Sequence, residues 1–187
     1  MIGLLVAGGI VLVLVLWYVS ANNKLVALKN NRENAFADID VQLKQRHDLI
    51  PQLIGAVKGY MDHEKDVLTR ITEARSRAMG ASGVNDKISA EKELGAAMSA
   101  FQIQVEAYPD LKANQNFLHL QTEVSDIENK LAAVRRFFNS ATKEFNTAVE
   151  SIPTNIVASI KKYTVQPMFD LGDVAREKMD VAPEIKF

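Results

Sequence analysis

Eleven apolar residues recur at alternating spacings of three and four along the second half of the chain: Phe117, Leu120, Val124, Ile127, Leu131, Val134, Phe138, Ala141, Phe145, Ala148 and Ile152. A repeat of this period keeps one narrow stripe on one face of a single helix, which then packs on its neighbours at a shallow angle. Asn114 is placed to cap the start and Pro153 to stop the end, so the spacing predicts a helix of about 38 residues, ~57 Å long. Helices of globular domains average nearer a dozen residues, so this one belongs to an elongated bundle.

The first half carries a comparable seam: Leu25, Leu28, Phe36, Ile39, Leu43, Ile50, Leu53, Val57, Tyr60, Leu68 and Ile71, reaching about Met79. Pro51 interrupts it, because proline removes a backbone donor and crowds the preceding turn. Since the seam keeps register across Pro51, a kink or short break is expected there, without reversal of direction. The turn cluster at Gly80 to Asp86 closes this segment. A shorter third helix follows from Ile88 to Ala107, with Leu94, Met98, Phe101 and Val105 on its inner face. Tyr108, Pro109 and Asp110 then lead into the long helix. The order long, short, long with short connections predicts antiparallel neighbours. Beyond Pro153 a short helix over Thr154 to Lys161 is expected, then an irregular, partly apolar tail that can fold back on the bundle or on a partner chain.

Ahead of this body, Ile2 to Val19 contains no charged or strongly polar side chain, and every Lys, Arg, Asp and Glu falls at or after Lys24. As a helix the run reaches ~27 Å, close to the ~30 Å hydrocarbon core of a bilayer. Trp17 and Tyr18 sit at its edge, where amphipathic rings favour the headgroup layer. A cleaved signal peptide would carry a basic residue before a shorter apolar run, so an uncleaved anchor fits better. Lys24, Lys29 and Arg32 follow the span with nothing basic before it, which predicts the N-terminus outside and the body in the cytoplasm. The expected organisation is an anchor over 1–23, an all-α helical bundle over 24–161, and a tail over 162–187.

The 22 Lys and Arg against 23 Asp and Glu give a net charge of −1, and the two signs alternate along the helices. Neither feature suits a nucleic-acid binder, which holds phosphates with a basic excess. No cysteine is present, so disulfides, thiolate catalysis and Cys-ligated metals are excluded. His63 and Glu64 open an HExxH pattern, but Val67 stands where the second histidine belongs, and His47 and His119 lie far off in sequence. Phosphate-loop, dinucleotide-loop and nucleophile-elbow patterns do not occur. No cofactor is implied. Arg46 and Glu64 fall on the apolar seam, where a charge either snorkels outward or pairs with an opposite charge in a polar layer.

The stretches Ile39 to Leu68, Tyr108 to Val124 and Arg135 to Pro153, together with the ending PEIKF, resemble the LemA family over nearly the whole chain. The motifs that carry the likeness are R-x-DLIP with a following GY and HE, then YPDLKAN. Phe137 and Phe138 depart from it, standing where a Tyr-Asn pair is common. The resemblance implies a bacterial inner-membrane protein with one N-terminal span, a cytoplasmic helical domain and no established catalytic activity, some relatives being associated with shaping intracellular membranes. Its motif positions here are Arg46, Asp48, Pro51, Tyr60, His63 and Glu64 on one side, and Tyr108, Pro109, Asp110, Leu111, Lys112 and Asn114 on the other. If the third helix folds back along the first, the Tyr108 to Asn114 turn would bring Asp110 or Lys112 to Arg46, Asp48 or Glu64.

These readings predict a membrane-anchored, non-catalytic scaffold whose partners are the lipid bilayer and further copies of itself. An accessory or adaptor subunit of another membrane protein, such as a membrane protease, is the second reading.

Overall fold

The computed structural model describes residues 1–61 and 64–169, and every regular element among those residues is a helix, with no strand. Six helices follow in order: α1 (Ile2–Val57), α2 (Lys65–Gly80), α3 (Val84–Val105), α4 (Pro109–Lys112), α5 (Gln115–Glu150) and α6 (Thr154–Ile160). The all-α class and the long apolar N-terminal helix are as expected. The described residues divide into two compact units, 1–40 with 133–168 and 41–132 with Phe169, so α1 and α5 each contribute to both.

The helix boundaries have local chemical causes. Asn114 caps α5, its Oδ1 accepting from the backbone N–H groups of Asn116 at 3.0 Å and Phe117 at 3.2 Å, two donors that the first turn leaves without partners. Pro109 opens α4, where a missing N–H costs nothing. Gly83 precedes α3 at φ +87°, a conformation that a side chain would strain. At the far end of α5 the Thr154 hydroxyl lies 2.6 Å from the Ala148 carbonyl and 2.9 Å from that of Ser151. The third helix starts at Val84, four residues before the expected Ile88.

The first seam departs from expectation in its course. Helix α1 runs through Pro51 and ends at Val57, and a turn over Lys58 to Tyr60 separates it from α2. The Arg75 side chain reaches the His47 carbonyl at 2.7 Å, whereas a straight helix would set these residues ~42 Å apart. The chain therefore does reverse, after Gly59 and not at Pro51, and the expected single long helix is two. Its registration survives because both pieces bury the same stripe: Ile50, Leu53, Val57 and Met61 meet Ile71, Ala74 and Ala78 of α2, with Leu94, Met98, Phe101 and Val105 of α3, Leu111, and Phe117 and Val124 of α5.

In the other unit α1 pairs with α5. Phe36 packs on Phe138 with ring centroids 5.5 Å apart, and the Arg32 guanidinium lies 4.9 Å over the Phe138 ring while its Nε donates to the buried Thr142 hydroxyl at 3.2 Å. Desolvation holds the Arg32 guanidinium below its ordinary pKa, and neighbouring Glu33 opposes that shift. After α6 the chain returns along α5. Gln166 exchanges two hydrogen bonds with the Asn146 side chain, at 2.8 and 2.9 Å, and Tyr163 stands edge-on to Phe145. The tail expected to be irregular is thus non-helical and docked from Tyr163 to Pro167; residues 170–187 lie outside the described residues.

Phe138 is fully buried and Phe137, its neighbour, is exposed. Phe138→Ala is expected to cost about 3 to 5 kcal/mol of stability and Phe137→Ala less than ~1 kcal/mol. Denaturant unfolding of the full chain in detergent, followed by circular dichroism, checks the difference.

Candidate functional site: a buried polar layer beside Pro51

A charge at a seam position must find a partner once the helices close. Arg46 takes the seam position three residues after Leu43 and four before Ile50, and it is 5% exposed. Its Nη1 donates to Glu91 Oε2 of α3 at 3.0 Å, and its Nε lies 2.9 Å from Glu128 Oε1 of α5, an ion pair without a well-directed hydrogen bond. Glu91 is 2% exposed, and its second carboxylate oxygen lies 2.7 Å from His47 Nε2. One carboxylate therefore holds two basic side chains from consecutive positions of α1. Isolated, either ion would be costly to bury; together, their hydrogen-bonding capacity is largely met.

Pro51 belongs to the same layer through the backbone. In an unbroken helix the carbonyl of His47 accepts from the N–H of residue 51, which proline lacks. Arg75 Nε occupies that carbonyl at 2.7 Å instead. The proline thus does not break α1: it frees one acceptor, and α2 is held to α1 by using it. Pro51 and Asp48 are themselves exposed on this helix.

The second group of motif residues meets the end of α1 differently from the expectation. Tyr108 donates its hydroxyl to Glu64 Oε1 at 3.2 Å, and the Asn114 amide donates to the Tyr60 hydroxyl at 3.1 Å. The YPDLKAN turn does approach the segment after Pro51, but through these neutral donors. Arg46 takes Glu91 and Glu128 in place of Asp110, and Lys112 pairs with Glu106 at 2.5 Å, so the expected pairing of Asp110 or Lys112 with Arg46, Asp48 or Glu64 is replaced. Glu64 is half-buried and meets a phenol where a cation was expected. His63 lies outside the described residues.

Sequence reasoning missed Glu91, His47, Arg75 and Glu128. The signal for Glu91 was present: it sits three residues before Leu94 on the seam that continues through Met98, Phe101 and Val105, as Arg46 sits on the seam of α1. Nothing local marks Arg75, whose role follows from the reversal after Gly59. Among the described residues no group of three or more His, Asp and Glu is arranged to hold a metal ion. The contacts that the layer makes fasten α1 to α2, α3 and α5.

The family model described as the LemA family matches residues 35–187. The chain is 28% identical to Protein LemA of Metamycoplasma hominis over 167 residues, covering 88% of this chain and 76% of that protein. It is also similar to the magnetosome protein MamQ of Magnetospirillum gryphiswaldense and to MamQ 1 of Paramagnetospirillum magneticum, each 18% identical over 74% of this chain. The chain spans 60% of the length of those two magnetosome proteins.

Replacing Glu91 by Gln leaves Arg46 buried without its main counter-charge and is expected to cost about 3 kcal/mol or more, whereas Glu128→Gln, at a side chain 40% exposed, should cost less than ~1 kcal/mol. Replacing Arg46 by Met and Glu91 by Leu together should restore most of the loss, again by denaturant unfolding. Partial desolvation, and then the hydrogen bond and charge of Glu64, hold the Tyr108 phenol above its ordinary pKa. The raised value means that this stabilising contact persists below the ordinary tyrosine range and is lost as pH rises through the folded value. A difference titration at 295 nm between the parent and Tyr108→Phe should therefore show a phenol that ionises late, and earlier in Glu64→Gln.

Proposed function

The chain belongs to the LemA family, and from that premise we propose that it is a membrane-anchored, non-catalytic protein whose cytoplasmic helical domain self-associates to organise membrane. The observation that carries this reading is the first third of α1. From Ile2 to Leu16 every large apolar side chain is exposed, in a helix long and apolar enough to cross a membrane and continuous with the folded body. So much contiguous apolar surface calls for a non-aqueous environment, and the length matches the hydrocarbon core of a bilayer. The names of the magnetosome relatives, and the use of Arg46, Tyr60, Glu64, Tyr108 and Asn114 in contacts that hold helices together, support the same reading.

The basic residues Lys24 and Lys29 follow the span, so the body is assigned to the cytoplasmic side of the inner membrane and the N-terminus to the outside. Because the chain has no cysteine, single cysteines report this without background. A membrane-impermeant maleimide should label Ser76→Cys only after the cells are permeabilised, and the protein should stay with the membrane under alkaline carbonate. Labelling in intact cells would reverse the orientation, and extraction by carbonate would remove the anchor. In native membranes Phe137→Cys should crosslink to further copies of the chain; a single foreign band would favour the adaptor role instead.

A further inference from the structure

Helix α6 lies against the exit of α1 from its apolar run. Val157 and Ala158 are buried there with Ala21, Leu25 and Ala148, and Trp17 and Tyr18 pack partly on the same cluster. The adjoining face of α6 has no cover: Ile156 and Ile160 are 54% and 61% exposed, and Ile152, in the turn that leads into the helix, is 84% exposed. Spacing of four puts Ile156 and Ile160 on one side of the helix. Ile152 is also the one residue of the long apolar seam that leaves the core of the protein for its surface.

The residues that end α6 are equally specific. The chain closes the helix with the N–H of Tyr163 on the Ala158 carbonyl at 2.9 Å and that of Lys162 on Ser159 at 3.1 Å, a Schellman cap. Lys162 takes its left-handed position at φ 57°, where glycine is the usual residue. Lys161 and Lys162 are both exposed. A groove of about 550 Å³ lined by Lys24, Leu28, Lys143, Glu144, Ala148 and Thr154 opens beside the start of α6.

Depth identifies what covers this face. Ala21 lies two residues, ~3 Å, past the last apolar residue of the span, so a segment packed on Trp17, Tyr18 and Ala21 sits at the level of the lipid headgroups. A short stripe of isoleucine ended by lysines suits that layer, with the aliphatic side chains entering the acyl boundary and the ammonium groups meeting lipid phosphates. We propose that α6 is a second membrane contact, an interfacial foot that sets Ile152, Ile156 and Ile160 into the same leaflet that the anchor leaves, and so fixes the tilt and rotation of α1 where it emerges. The inference rests on the anchor reading.

Single nitroxide labels on the otherwise cysteine-free full chain test it, in vesicles of phosphatidylethanolamine and phosphatidylglycerol. Collisions with oxygen, which concentrates in the acyl region, are compared with collisions with a water-soluble nickel chelate. Leu12→Cys reports the span, and Glu33→Cys lies ~21 Å of helix beyond Val19, in water. The oxygen-to-nickel ratio at Ile156→Cys and Ile160→Cys should exceed that at Glu33→Cys several-fold and approach that at Leu12→Cys. If Leu12→Cys behaves as a lipid site while Ile156→Cys and Ile160→Cys match Glu33→Cys, the interfacial foot is overturned and the anchor stands. A water-like ratio at Leu12→Cys overturns both. Dipolar broadening at Ile156→Cys that disappears on dilution with unlabelled chain would assign the face to a second copy and overturn the lipid contact.

Discussion

A pair of opposite charges buried between helices is what the unit built on residues 41–132 depends on. Arg46 and Glu91 both occupy positions that their helices reserve for apolar side chains, and neither could be buried there alone. Their bond brings α1 and α3 together at one register, since a shift of a single turn would separate the charges by about 5 Å inside a low-dielectric interior. His47 on the same carboxylate and Arg75 on the carbonyl freed by Pro51 tie the layer to a third helix. The proline is therefore one half of a joint whose other half is a guanidinium.

This explains why residues far apart in the sequence form one motif set. The Arg46 to Pro51 segment supplies the charge and the free carbonyl, and the Tyr108 to Asn114 turn supplies the cap of α5 and the polar contacts to Tyr60 and Glu64. Each group acts on backbone or side-chain groups that hold helices in place.

Much of this was legible in the sequence because it follows from periodicity and capping. The α5 seam, the Asn114 cap, the apolar span and the significance of a charge at Arg46 all come from spacing and residue type. The reversal after Gly59 was not legible, because both pieces of the broken helix bury one continuous stripe, and a period-3.5 pattern runs on unchanged through a turn of suitable length. Pro51 was the conspicuous breaker and Gly59 the real neighbour of the break, since the freed carbonyl could be satisfied from α2. The identity of Arg46's partner was missed for a related reason: the motif turn offered Asp110, whereas the matching seam position lay on α3, at Glu91.

The proposal that this fold serves as an assembling membrane scaffold reduces to how many chains occupy one particle in lipid. Stepwise photobleaching of the fluorescently labelled full-length chain in lipid bilayers, at a density too low for chance coincidence, counts them directly. The account predicts particles with two or more bleaching steps as the dominant population. Single steps throughout, with labelling shown to be complete, would contradict it.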